Sequence, residues 1–430
     1  MRVFKFGGAS TKDADSIKNV ADIISRFKNE ELLIVISAIG KTTNALEVIA
    51  DNIFQKNIDL AIANIDALEH KHRNIVEDLF SDKHHVIFHE LKRLFDQLYD
   101  LQRYYCLEKV TIAAGYDYLY DQIVSMGELF SSLIVSHYLQ SLGNATYWLD
   151  VRTVLKTDHR YRAGNVDWEV TKQLTQQKVL PLLTKQLVCT QGFIGGTIDN
   201  HTTTLGREGS DYTAAIMAYC LNAEEVVIWK DVPGVLNADP KWYPEAKLLN
   251  KISYNEAVEL AYYGATVIHP KTIKPLQNKH IKLRVKSFIH PENTGTEIGV
   301  STEQDKKLPS FIFKSNQVLL VIATKDFSFI DENDLSRIFS LLAQLYFQVN
   351  MMQLSAMHFS ICLQHDSSKL QALLENLGKY YDIQLEEDLR LVTIRHYTQP
   401  IIDEVINGHM VLLSQESEST ARYVVRAQQS

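Results

Sequence analysis

Cysteine is scarce in this chain: four in 430 residues, at Cys106, Cys189, Cys220 and Cys362. They lie far apart with no CxxC pair, which excludes a disulfide framework and a sulfur-liganded zinc site and reads as buried thiols in a reducing compartment. An excess of positive charge is missing too. The 44 Lys and Arg fall short of the 52 Asp and Glu, for a net charge of -8. The electrostatic footprint of a nucleic-acid or anionic-membrane partner is therefore absent. No apolar run approaches the roughly 20 residues of a membrane-spanning helix. Glycines interrupt the opening Met1-Arg-Val-Phe-Lys-Phe-Gly-Gly where a secretory signal would place its apolar stretch, so no such leader is expected. What remains is the balance of a globular protein, 46% hydrophobic and 22% charged. Its length suits two or three domains, and a cytoplasmic enzyme is expected.

The first part of the chain alternates strands and helices. Arg2 to Phe6 reads as a short strand running into Gly7-Gly8, followed by a helix with Ile17, Val20, Ala21 and Ile24 on one face. Leu32 to Ile36 is a continuous apolar run of the kind covered on both faces. Residues 45 to 108 read as helical and charge-rich, with His84-His85 as solvated surface because no carboxylate or cysteine completes a ligand set. Strands are expected at 145–148, 187–190 and 226–228, and a helix at 211–221. Strands separated by helices imply a mostly parallel sheet between helical layers. The polar, turn-rich stretch from Pro291 to Pro309 reads as a boundary. Beyond it, strand 318–323, helix 334–345, strands 347–354 and 357–363, helix 369–377 and strand 389–394 give the β-α-β-β-α-β order of a ferredoxin-like unit. A strand-rich tail (410–413, 423–425) reads as an incomplete second copy. The expected division is 1–300, 310–395 and 396–430.

Three glycine-bearing turns carry candidate chemistry. In Lys5-Phe-Gly-Gly-Ala-Ser10, Gly7 and Gly8 let backbone N–H groups approach an anion, and Lys5 could stabilise a transferring phosphoryl group. The plainer alternative is a βα turn with a surface lysine. Ser37-Ala-Ile-Gly-Lys-Thr-Thr43 holds Gly40-Lys41-Thr42, but a P-loop needs glycine at position 35, which is Val35. It remains a hydroxyl-rich loop at a strand's C-terminal end, where ligands bind in open α/β sheets. In Gly206-Arg-Glu-Gly-Ser-Asp211, Arg207 offers a planar fork to a carboxylate, while Ser210 and Asp211 read equally as helix caps. Glu128, after Gly127 at a helix start, could receive an ammonium group or simply complement the helix dipole.

Taken together, Lys5-Phe-Gly-Gly-Ala-Ser, Gly206-Arg-Glu-Gly-Ser-Asp-Tyr-Thr-Ala-Ala, Lys230-Asp-Val-Pro-Gly-Val-Leu-Asn-Ala-Asp-Pro240 and Ile252 through Pro270 resemble, in order, the signature segments of aspartate kinases. The C-terminal unit resembles the ACT regulatory domains of that family. The resemblance implies an α/β amino-acid-kinase fold followed by an α+β ferredoxin-like region, and transfer of the ATP γ-phosphoryl group to the side-chain carboxylate of L-aspartate. A carboxylate nucleophile is already ionised at neutral pH, so no general base is required.

The resemblance also implies roles for individual residues. Lys5 and Asp211 are catalytic, with Asp211 orienting the lysine. Ser37, Thr43, Glu128, Arg207 and Ser210 bind aspartate, Glu128 taking its ammonium and Arg207 its α-carboxylate. Lys5, Gly7, Gly8, Ser10, Lys230, Asp231, Leu236 and Lys241 contact ATP, with Mg²⁺ bridging phosphates. Ser328, Asp334, Leu335, Val349 and Asn350 form a pocket for an amino-acid effector, lysine or threonine, in a homodimer or larger assembly. Lys230, Leu236 and Thr266 depart from the family pattern, in which Thr, Tyr and Lys are common. Other readings are a kinase of the same fold with a different acceptor, or an amino-acid sensor that has lost turnover.

Overall fold

The computed structural model describes residues 1–107, 115–265, 268–326 and 328–427. The described residues cluster into two compact units. One is formed by the described parts of 1–236, 248–261 and 266–304, the other by 237–247, 262–265 and the described part of 305–430.

The first unit is built on β1 (Arg2–Phe6), α1 (Ala14–Ser25), β2 (Leu32–Ile36), α2 (Thr42–Phe54), α3 (Ile58–Leu79), α4 (Val86–Leu107), α5 (Gly115–Val124) and α6 (Met126–Ser141). Then follow β3 (Thr146–Leu149), α7 (Trp168–Lys178), α8 (Leu180–Leu183), β4 (Leu187–Gln191), β5 (Ile194–Gly196), β6 (Thr202–Thr204), α9 (Gly209–Leu221) and β7 (Glu225–Lys230). After these come β8 (Lys251–Ser253), α10 (Tyr254–Tyr263), α11 (Pro270–Asn278), β9 (Lys282–Ser287) and β10 (Thr296–Gly299).

Eight of these strands form one sheet, in the order β3-β4-β2-β1-β7-β9-β10-β8. It is parallel from β3 to β9, and β10 runs antiparallel to β9. Both faces of the central strands are covered, which is why β2 is apolar at every position and buried throughout. In α1 the expected stripe of Ile17, Val20, Ala21 and Ile24 is buried, and Asp13 caps the helix by accepting the Ser16 N–H at 2.8 Å. The stretch after Pro291, expected to be pure boundary, contains β10, whose short polar sequence hides a strand paired on both sides. His84 is exposed, whereas His85 is half-buried with its ring 4.5 Å from that of Phe80. All four cysteines are buried thiols.

The second unit contains β11 (Ser310–Thr324), α12 (Glu332–Gln344), β12 (Val349–Leu354), β13 (His358–Gln364), α13 (Ser367–Leu377), β14 (Tyr381–Arg395), α14 (Gln399–Ile406), β15 (His409–Glu416) and β16 (Thr420–Ala427). Its six strands form one antiparallel sheet ordered β12-β13-β11-β14-β16-β15. The 15-residue strands β11 and β14 pair along their whole length, with irregular register around Lys314 and Gln317. Ile338 and Leu342 of α12 and Leu370, Leu373 and Leu377 of α13 bury Val318, Leu320 and Ile322 of β11. Ile402 of α14 covers Phe311, Val392 and Ile394. The tail from 396 onward thus contributes a helix the sequence did not reveal and two strands that continue this sheet beyond β14.

Candidate active site

The parallel register sets the C-terminal ends of β1, β2 and β7 side by side, with Phe6 opposite both Ile36 and Trp229. From β1 the chain connects to β2 on one side, while β7 lies on the other. That is the switch-point crevice where open α/β sheets bind ligands. A cleft of about 550 Å³ opens there.

At one end the Lys5 ammonium lies 2.6 Å from Asp211 Oδ1, and the Lys230 ammonium 3.4 Å from Asp211 Oδ2. Lys5 is the penultimate residue of β1, Lys230 the last of β7, and Asp211 sits in the first turn of α9, which packs on both strands. Burial pushes the Asp211 carboxyl up, but Lys5 and then Lys230 outweigh it and hold the group below its ordinary value. An ionised carboxylate is thus fixed between two ammonium groups.

The glycine turn forms the floor. A side chain on Gly8 would meet the Ala38 carbonyl oxygen at 2.7 Å and that of Gly40 at 2.9 Å, so only glycine lets these two loops touch. The Gly40 N–H donates to the Gly8 carbonyl at 3.0 Å. Ser10 turns inward and donates its hydroxyl to Gly7 at 2.7 Å. It is buried and, like Gly7, does not line the cleft, so it holds the turn.

Glu128 defines the other end. In the first turn of the buried helix α6, its Oε1 accepts the Ala38 N–H at 3.3 Å, while Oε2 is buried with no hydrogen-bond partner among the described residues. Burial pushes its pKa up to about 8 against the opposing pull of the Ala38 N–H and Lys5. Such a carboxylate is built to receive a cation. Ser37, Thr43, Arg207 and Ser210 line the same cleft, Ser37 donating its backbone N–H to Phe6 at 3.1 Å and Arg207 standing exposed at the turn before α9.

The cleft also recruits residues that the sequence reading did not single out. Arg162 lies with its guanidinium 4.3 Å from the Tyr120 ring centroid, and the Tyr120 hydroxyl donates to Glu47 at 2.7 Å. Glu208 lines the wall in a left-handed conformation (φ 52°) with its carboxylate accepting the His269 N–H at 2.8 Å. Nothing in a single sequence marks Arg162 or Tyr120, since they reach the site through tertiary packing.

The residues expected to grip the nucleotide are less concentrated. Lys230 lines the cleft, but Asp231 is exposed and Leu236 bridges to Leu248; neither lines it. Lys241 belongs to the other compact unit and is exposed. Thr266 lies outside the described residues.

The expected effector residues fall into two hydrogen-bond groups. Asp334 completes the N-terminal cap of α12 with Asp331 and accepts the Tyr381 hydroxyl at 2.8 Å, while the exposed Ser328 bonds Asp326. Asn350 donates to Gln317 at 2.8 Å and accepts from Lys314 at 3.0 Å. Leu335 and Val349 pack against the same apolar core between them.

Residues 1–287 match the model of the amino acid kinase family. The chain is 33% identical over 404 residues to the lysine-sensitive aspartokinase 3 of Escherichia coli K12, covering 91% of this chain and 86% of that protein. Among solved structures, E. coli aspartokinase III in complex with lysine and aspartate superimposes with a TM-score of 0.84 at 30% identity, covering 99% of this chain and 96% of that one. The same enzyme with aspartate and ADP gives 0.78 at 30% identity, over the same shares of the two chains. Aspartokinase 2 of Arabidopsis thaliana is 31% identical over 391 residues, 86% of this chain and 66% of that protein. The chain therefore belongs to the amino acid kinase family and, within it, to the aspartokinases.

Proposed function

We propose that this protein transfers the γ-phosphoryl group of ATP to the side-chain carboxylate of L-aspartate, giving 4-phospho-L-aspartate and ADP, the first step of lysine, threonine and methionine biosynthesis. The observation that carries the reading is one cleft with Lys5, Lys230 and Asp211 at one end and, at the other, the buried Glu128 carboxylate, whose Oε2 has no hydrogen-bond partner among the described residues. The first end suits phosphoryl oxygens, the second an α-ammonium group.

The acceptor oxygen attacks the γ-phosphorus, the bond to the β,γ-bridging oxygen breaks, and ADP leaves with that electron pair. No proton moves in this step, so catalysis rests on positioning and charge neutralisation. Lys5, aimed by Asp211, neutralises the transferring group, and Lys230 adds a second positive charge. Glu128 takes the ammonium of aspartate and Arg207 its α-carboxylate, while Ser37, Thr43 and Ser210 complete the shell. Among the described residues no cluster of three metal-ligating side chains exists, and Asp211 already faces two ammonium groups. Mg²⁺ would enter with the nucleotide, as the Mg–ATP complex.

The antiparallel second unit, similar to ACT domains, supports feedback by an amino acid, lysine or threonine, in a homodimer or larger. Lys314 and Arg422 beside Asn350 suit the effector's carboxylate. The reaction's soluble substrates suit a cytoplasmic placement; among the described residues no helix is long and apolar enough to cross a membrane. The test is ADP release with Mg–ATP and L-aspartate, against L-glutamate, acetylglutamate and UMP as acceptors. Turnover on aspartate alone is expected; turnover only on another acceptor would overturn the reading.

A further inference from the structure

Asp121 is a fully buried carboxylate in α5 that does not line the cleft. Its Oδ2 accepts two backbone N–H groups, from Arg162 and from Thr204 of β6, each at 2.9 Å. Its Oδ1 accepts the Thr204 hydroxyl at 2.7 Å. Two turns that are far apart in sequence thus converge on one side chain. They are also fastened to each other, because the Gly164 N–H donates to the Thr204 carbonyl at 2.9 Å. Gly206 holds φ 75° with its Cα face turned to the Arg162 carbonyl, which an added Cβ would meet at 3.1 Å.

Each turn delivers one arginine to the cleft, Arg162 directly and Arg207 just after Gly206. Arg162 adopts φ 63°, a conformation costly for a side chain this size and sustained only where surrounding bonds impose it. The Asp121 bond to its backbone N–H is such a bond. The guanidinium then lies over Tyr120 and 3.4 Å from Asp117, both on α5 like Asp121 itself. A buried carboxylate is expensive to desolvate and is kept where its hydrogen bonds do a job that a neutral, apolar residue cannot.

We infer that Asp121 is a positioning residue for the acceptor: it clamps the Arg162 turn to the strand leading into Arg207, and so sets both guanidinium groups at the amino-acid end of the cleft. This rests on aspartate being the acceptor. Aspartate brings two carboxylates into that end, one to react and one to be held, and two arginines fixed from one anchor hold the second while leaving the first free. Arg162 then shares recognition with Arg207.

The test is steady-state kinetics on the full chain for Asp121→Ala, Asp121→Asn, Arg162→Ala and the Asp121→Ala/Arg162→Ala double variant. Asp121→Ala should raise the KM for aspartate roughly tenfold or more, with the KM for ATP within about twofold. Asp121→Asn should recover most of that, because an amide oxygen can accept both N–H groups while its NH₂ donates to the Thr204 hydroxyl. Arg162→Ala should raise the KM for aspartate in the wild type and by less once Asp121 is gone. A residue that only stabilises the fold would lower kcat through loss of active enzyme and leave KM unchanged. That pattern, or an Asp121→Asn variant as impaired as Asp121→Ala, overturns the inference. If Asp121→Ala does not fold, Thr204→Val removes one of the bonds alone; an unchanged KM for aspartate there overturns it equally. Wild-type turnover on aspartate tests the acceptor separately, so failure of that reading is distinguishable from failure of this one.

Discussion

Lys5 Nζ and Asp211 Oδ1 lie 2.6 Å apart at the end of β1, both buried, with Lys230 approaching the second carboxylate oxygen. The carboxylate fixes the direction of the Lys5 ammonium before any substrate arrives. That preorganisation costs nothing at the moment of reaction. The same carboxylate also draws the Lys230 ammonium to within 3.4 Å of its Oδ2, so both positive charges lie at this end of the cleft.

Lys5→Met should lower kcat by about two to three orders of magnitude, the range expected when a transition-state charge partner is removed. Circular dichroism should be unchanged, because β1 keeps its apolar contacts. A loss confined to the KM for ATP would assign Lys5 to ground-state binding.

Glu128 predicts a pH dependence. Its pKa of about 8 lies above the usual carboxylate range, so at neutral pH the folded protein holds a proton there that the unfolded chain has lost. The buried charge therefore costs stability as pH rises through the window from about 4.5 to 8, and Glu128→Gln should raise the melting temperature near pH 8 more than near pH 5. Binding the aspartate ammonium requires the ionised form. The KM for aspartate should then rise as pH falls below about 8, and Glu128→Gln should bind poorly at every pH. A wild-type KM that is flat between pH 6 and 8.5 would contradict this.

Arg207→Ala should raise the KM for aspartate roughly 10- to 100-fold, the cost of losing hydrogen bonds to a charged group. The KM for ATP should change little. A change confined to ATP would reverse the assignment of the two ends of the cleft.

Asn350→Ala should weaken inhibition by the effector amino acid while sparing uninhibited turnover, since Asn350 lies in the second compact unit. It would release Lys314 and Gln317 from their shared partner. An inhibition curve identical to wild type would move the effector site away from β12.

The periodic parts of the sequence were the most legible. The apolar run of Leu32 to Ile36 and the α1 stripe announce themselves because burial on two faces, or on one, leaves its own spacing. Lys5, Gly8, Glu128 and Arg207 were readable because each accompanies a strand end, a glycine turn or a helix start. Arg162, Tyr120 and Asp121 were not, because their role arises only when α5, β6 and the turn at 162 converge. β10 escaped notice inside a polar segment, since a four-residue strand whose apolar content is one isoleucine carries no usable pattern. In the second unit, α14 is not apparent from the sequence, and β11 and β14 begin at Ser310 and Tyr381, ahead of the apolar runs at 318–323 and 389–394, because exposed polar pairs (Ser315-Asn316 and Glu387-Asp388) interrupt the first half of each strand.

The most direct measurement is to run the reaction with Mg–ATP and L-aspartate in hydroxylamine and identify the trapped product, for the wild type and Lys5→Met. An acyl phosphate on the side chain would be captured as L-aspartate β-hydroxamate, formed by the wild type and nearly abolished by Lys5→Met. ADP release without hydroxamate, or hydroxamate on the α-carboxyl, would contradict transfer to the side-chain carboxylate in this cleft.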